Sequence, residues 1–98
     1  MTQKKGGMKF DQDKPIAGVL FEFRHALQAV ALVGTFGAKK YRRSSWQSVP
    51  NAQVRYYDAF WRHLLEDGSD EESGLLHKAH AAWNALADLE LILRRNGR

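Results

Sequence analysis

The chain has 98 residues, 44% of them hydrophobic and three of them tryptophan, which suits one folded core and excludes both two independent cores and a disordered tail. It has no cysteine, so disulfides and thiolate metal sites are excluded, and a reducing compartment is expected. A net charge of +4 favours anionic partners, and nucleotides and nucleic acids satisfy it equally well.

Residues 1–15 read as an irregular arm with two adjacent glycines, closing on Lys14-Pro15. No apolar run that would make a signal peptide follows the start. The most apolar stretch, 20–36, is interrupted by Glu22, Arg24, His25 and Gln28 too often for a membrane span, so a cytoplasmic location is expected. Leu20, Phe23, Leu27 and Val30 recur at helical spacing and predict a first helix over about 18–36, with Gly34 and Gly37 bracketing its end. A basic turn and a polar loop follow, and Pro50-Asn51 punctuates the start of a second helix over about 52–66, with Tyr56, Phe60 and Leu64 on one side.

Glycines and acids make 67–74 a loop. Ser73 or a neighbour is positioned to cap a third helix over about 75–95, along which Leu75, Ala79, Ala82, Leu86, Leu89 and Leu93 stack on one face. Arg94, Arg95 and Gly97 give it a cationic end and a stop. There is no alternating β pattern, repeat or low-complexity tract. The expectation is an all-α fold: a single domain over 1–98, a small bundle of three main helices with an irregular N-terminal arm, its thin core completed by oligomerisation.

At about 100° per residue, His77, His80, Asn84 and Asp88 form one stripe of the third helix, roughly opposite the leucines. Such a face is ordinarily solvent. Here Leu76, Trp83, Ala87, Leu91 and Ile92 flank it, so the helix is apolar nearly all round, and a polar strip inside a buried helix needs partners. The second helix carries Arg55, Asp58, Arg62 and Glu66 at helical spacing, with His63 at the edge; Asp58 and Arg62 read by default as an i,i+4 ion pair. If the two helices pair antiparallel across the acidic loop, His63 and Glu66 approach His77 and His80, an arrangement from which helix bundles build metal sites. Asp70 and Glu72, with Asp67 and Glu71, are hard oxygen donors suited to magnesium or manganese, or plain surface acidity. Lys39, Lys40 and Tyr41, with Arg42, Arg43 and Trp46, suit a nucleotide, a nucleic acid or an exposed basic turn. There is no phosphate-loop motif and no HExxH zinc helix.

Four ordered blocks carry a family resemblance. Met8-Lys9-Phe10-Asp11 with Lys14-Pro15 resembles the KFDxxKP opening of the phage dATP/dGTP diphosphohydrolases, MazG-related all-α nucleotide pyrophosphohydrolases. Thr35-Phe36-Gly37-Ala38-Lys39-Lys40-Tyr41, followed by Trp46, is similar to their TFGAKKY…W block, and Arg55-Tyr56-Tyr57-Asp58-Ala59 with Arg62-His63 to their RYxDA…RH helix. Glu72-Ser73-Gly74-Leu75, His77, His80-Ala81-Ala82 and Asn84 resemble their ESGLxHxxHAAxN block. Asp13 stands where a glycine is usual, and the second helix and acidic loop are shorter than the family pattern by about a turn.

The resemblance implies an oligomer, a dimer or tetramer, encoded by a phage and acting in the host cytoplasm on nucleotide pools. It implies hydrolysis of a deoxypurine nucleoside triphosphate to monophosphate and pyrophosphate with Mg2+ or Mn2+. Residue by residue, His63, Glu66, His77 and His80 take the catalytic roles, and Glu66, Asp70, Glu72, His77 and His80 the metal. Lys9, Asp11, Lys14, Lys39, Lys40, Tyr41, Trp46, Arg55, Asp58, Arg62 and Asn84 take the substrate. Two other readings stand behind it: a catalytically silent nucleotide-binding or interaction module, and, third, a DNA-binding protein, for which no recognition-helix signature is present.

Overall fold

The computed structural model describes residues 17–97. They fold into helices joined by turns: α1 (Ala17–Phe21), α2 (Arg24–Lys40), a 3-10 turn (Ser45–Ser48), α3 (Ala52–Leu64) and α4 (His77–Arg95). Among the described residues there is no strand, only an isolated antiparallel bridge between Ser69 and Leu76. The fold is all-α, as expected. The expected arm over 1–15, with Lys9, Asp11 and Lys14, lies outside the described residues. No helix is long and apolar enough to cross a membrane among the residues described.

α3 and α4 form the principal pair, and α2 packs on α4. The pair is antiparallel. Gln53, near the start of α3, donates to the Asp88 carboxylate late in α4 at 3.1 Å, while His63 near the end of α3 meets His77 at the start of α4 at 2.8 Å. Asn51 enters α3 with φ of 55°, a left-handed conformation that asparagine tolerates better than most residues.

The first predicted helix is both interrupted and extended. The backbone turns at Glu22-Phe23, then runs past Gly34 and Gly37 to Lys40. Gly34 is not a terminator; it is a point of close approach, where a Cβ would lie 3.1 Å from Nε1 of Trp83. Helix α4 starts at His77, two residues later than expected, and Ser73 does not cap it. The N–H of His77 is instead satisfied by the Gly68 carbonyl at 2.9 Å.

The face that α4 buries is the reverse of the greasiest one. Its buried residues are Ala79, His80, Ala81, Asn84 and Ala87, whereas Leu86, Leu89 and Leu93 stay 42–49% exposed. Alanines let two neighbouring helices approach closely, and the bulk between them comes from one cluster. Trp83 sits edge-on to Trp46 at 6.0 Å and to Tyr56 at 5.6 Å, and the Tyr56 hydroxyl donates to the Trp46 carbonyl at 2.6 Å. Beyond Val33 and those alanines, no apolar side chain among the described residues is fully withdrawn from water.

Candidate functional site

The loop between α3 and α4 is a tight, hydrogen-bonded structure. Asp70 N–H donates to Leu75 O and Gly74 N–H to Asp70 O, both at 2.8 Å. Gly68 and Gly74 both have φ of 75°, a conformation that strains a side chain with a Cβ. Within this turn the Asp70 carboxylate accepts the Ser73 N–H at 2.9 Å, and the Ser73 hydroxyl accepts the Leu75 N–H at 3.1 Å. Asp70 is thereby fixed at the mouth of the α3–α4 pair.

Three imidazoles meet it there. Nδ1 of His63 and Nδ1 of His77 are 2.8 Å apart, so one ring donates and the other accepts. His63 lies stacked on His80 with centroids 4.6 Å apart and planes 16° from parallel. Nε2 of His80 is 2.7 Å from the Ser73 hydroxyl. Burial, then the neighbouring imidazoles, lowers the pKa of His63 below the ordinary 6.5, and burial also lowers that of His80. The Ser73 N–H holds Asp70 below the ordinary carboxylate value. A lowered His63 and a lowered Asp70 each shift toward the deprotonated form in which such groups bind a cation.

His63, Asp70 and His77 each present a donor atom within 4.8 Å of one another. The set fits a divalent ion in ligand type, and three protein ligands leave positions for water or substrate. The 2.8 Å between the two Nδ1 atoms is a hydrogen-bond spacing.

The remaining predicted residues fall elsewhere. Glu66 is exposed and lies outside the donor group, and the exposed Glu72 carboxylate pairs with Lys40 on α2. Asn84 is buried, and its side chain donates to the His80 carbonyl at 2.9 Å on its own helix. Arg55, Asp58 and Arg62 are exposed, and the Asp58–Arg62 ion pair is absent among the described residues; that strip of α3 faces solvent. Tyr41 is exposed, with Lys40 Nζ 5.1 Å from its ring centre. Trp46 is half-buried and, with Lys39, lines a separate cavity against α2. Sequence reasoning missed two contributors: Ser73, whose hydroxyl serves the site and not a helix cap, and Trp83. The adjacency of Ser73 to Gly74, at a position that a tight turn demands, was the available signal for the first.

Comparison with known proteins gives a consistent picture. Residues 4–98 match the family described as dATP/dGTP diphosphohydrolase, N-terminal. A protein of Salmonella phage PMBT28, named dATP/dGTP diphosphohydrolase, is 41% identical over 81 residues, covering 78% of this chain and 26% of its own length. The chain thus spans about a quarter of the length of that curated relative. No solved structure matches.

Proposed function

We propose that this chain, which belongs to the dATP/dGTP diphosphohydrolase N-terminal family, hydrolyses deoxypurine nucleoside triphosphates to monophosphate and pyrophosphate with a divalent cation. The observation that carries the reading is the convergence of His63, Asp70 and His77 from two helices and the turn between them. These three would hold the ion, and two imidazoles would favour manganese over magnesium, which prefers an oxygen shell. A bound divalent ion offsets triphosphate charge and makes an attacking water more acidic. Water adds to the α-phosphorus, the bond to the bridging oxygen breaks, and pyrophosphate leaves.

The chain's own residues orient these partners. His80, stacked on His63 and tied to Ser73, is a positioning residue that keeps the His63 ring turned toward His77. Ser73 also keeps Asp70 ionised. Lys39 and Lys40 supply positive charge for phosphate oxygens, Lys40 after exchanging its Glu72 partner. Glu66 and Glu72 take no ligand role in this arrangement.

The same reading extends to assembly as a dimer or tetramer in the cytoplasm of a phage-infected cell. Leu86, Leu89 and Leu93 leave α4 with an exposed apolar strip, which a second copy of this chain would cover.

The test is to incubate folded protein with dATP, dGTP, dCTP and dTTP, with manganese or magnesium, and to assay pyrophosphate. Release from the two purine substrates, abolished by chelation and restored by manganese, is the expected result. No release from any of the four, or release of orthophosphate alone, sinks the proposal.

A further inference from the structure

Helix α3 carries two features that the imidazole cluster does not use. It turns Gln53, Tyr56 and His63 toward α4, where they meet Asp88, Trp83 and His77. On another side Val54, Tyr57, Trp61 and Leu65 stand 43–78% exposed, and their spacing of three and four makes them one stripe. About a quarter-turn further round lies the strip of Arg55, Asp58, Arg62 and Glu66, all exposed. None of those four has an ion pair among the described residues, although Asp58 and Arg62 lie one turn apart. Leu65 and Glu66 follow the helix proper, but their N–H groups bond back to the Trp61 and His63 carbonyls, which keeps both on its surface.

We infer that α3 pairs antiparallel with α3 of a second copy of this chain, apolar stripe on apolar stripe and charged strip beside charged strip. This deepens the assembly reading above by a contact separate from the leucines of α4, and it does not depend on the hydrolase chemistry.

The order of the residues supports it. Turned end for end about Phe60, Val54 exchanges with Leu65 and Tyr57 with Trp61, so apolar positions meet apolar ones. The same reversal exchanges Arg55 with Glu66 and Asp58 with Arg62. Every cation on the strip then meets an anion of the second copy, and none is left over. A strip that reads plus, minus, plus, minus is its own complement when reversed.

Symmetry selects the direction. In an antiparallel pair the twofold axis stands perpendicular to the plane of the two helices, and equal flanks meet. In a parallel pair each flank meets the opposite one, and the charged strip would run against the flank that α3 already packs on α4. Tyr57 and Trp61, edge-on to each other at 6.3 Å, are residue types that carry affinity in such contacts. One helix face is a small interface, at or below about 1,200 Å² in total. A weak pair in exchange with single copies is therefore expected, with its register set by the charges. His63 points away from this contact, toward His77, so the imidazole cluster stays uncovered.

The experiment removes the charge match and then restores it, in a Leu89→Glu background so that the α4 strip makes no contribution. Asp58→Arg leaves the centre of the strip wholly cationic, and Arg62→Asp leaves it wholly anionic. Each alone is expected to weaken self-association in sedimentation about tenfold or more, with circular dichroism unchanged. Mixed in equal parts, the two are expected to associate as a heterodimer, and the double variant Asp58→Arg/Arg62→Asp to recover the parent affinity. A purely structural or substrate-binding role for either residue gives no recovery on mixing. A parent that stays monomeric from micromolar to millimolar concentration, unweakened association in both single variants, or no rescue by mixing or by the double variant would overturn the pairing. Pyrophosphate release without charge-dependent association discards the pairing and keeps the hydrolase; charge-dependent association without release does the reverse.

Discussion

The two long faces of α4 divide their chemistry against ordinary expectation. The inner face, turned to α2 and α3, is built from Ala79, His80, Ala81, Asn84 and Ala87; the outer one displays Leu86, Leu89 and Leu93. Small side chains on the inside bring helices close enough for imidazoles on both to touch, as His63 and His77 do at 2.8 Å. Leucines there would wedge the pair apart. The greasiest face of a helix in a thin domain is thus not necessarily the face its own chain covers.

Substitutions can break that comparison. The largest expected effect is at the loop end of the inner face: His77→Ala or Asp70→Asn, each removing a donor from the cation group, should lower pyrophosphate release by about a hundredfold or more with the helical circular dichroism unchanged. Full turnover in both variants would remove that group from the chemistry.

A matched pair sharpens the contrast next. Ala81, only 2% exposed, has no room to grow, and Ala81→Leu should cost about 1–3 kcal/mol in urea unfolding. Leu89→Glu on the outer strip should leave helicity intact and shift the sedimentation of any assembly toward the monomer. A large loss of helicity in Leu89→Glu, with none of stability in Ala81→Leu, would invert the assignment of faces.

The smallest expected effect is on pH. His63 and His80 have folded-state values depressed below 6.5, so the folded protein binds protons less readily than the unfolded chain. Their contribution to stability is complete above 6.5 and is lost as pH falls through the depressed values. Asp70 acts in the same direction from its ordinary 3.8 downward. The melting temperature should therefore hold level from about pH 8 to the histidine range and decline on further acidification. His63→Gln should flatten the upper part of that decline; an unaltered profile would place the depressed group elsewhere.

Much of this was legible in the residues. Helical spacing set out α3 and α4, and an i,i+3 pair of histidines following a short acidic loop predicted that His63, His77 and His80 would converge. What was not legible depended on distant partners. Gly34 read as a stop because its reason for being glycine is an indole 49 residues later in the chain. Glu66 reads as a ligand from its helical spacing with His63 and Glu72 from the hard oxygen it offers, yet Glu66 is exposed outside the donor group and Glu72 is engaged by Lys40. The break at Glu22-Phe23 carries no glycine or proline to announce it. Nor does the leucine stripe say whether its cover lies within one chain.

The collar of main-chain hydrogen bonds around Asp70 has a consequence for how this region tolerates change. Asp70 to Leu75, Gly74 to Asp70 and His77 to Gly68 together peg the α3–α4 register at the point where their side chains meet. One extra residue inside 69–76 would rotate the start of α4 by about 100° and carry His77 out of reach of His63. Extra residues at 66–67, ahead of the collar, leave those pegs intact. Length variation among relatives should therefore gather on that outer stretch, and a divalent ion held as proposed would find His63, Asp70 and His77 already ordered and would bind with little entropic penalty from the loop.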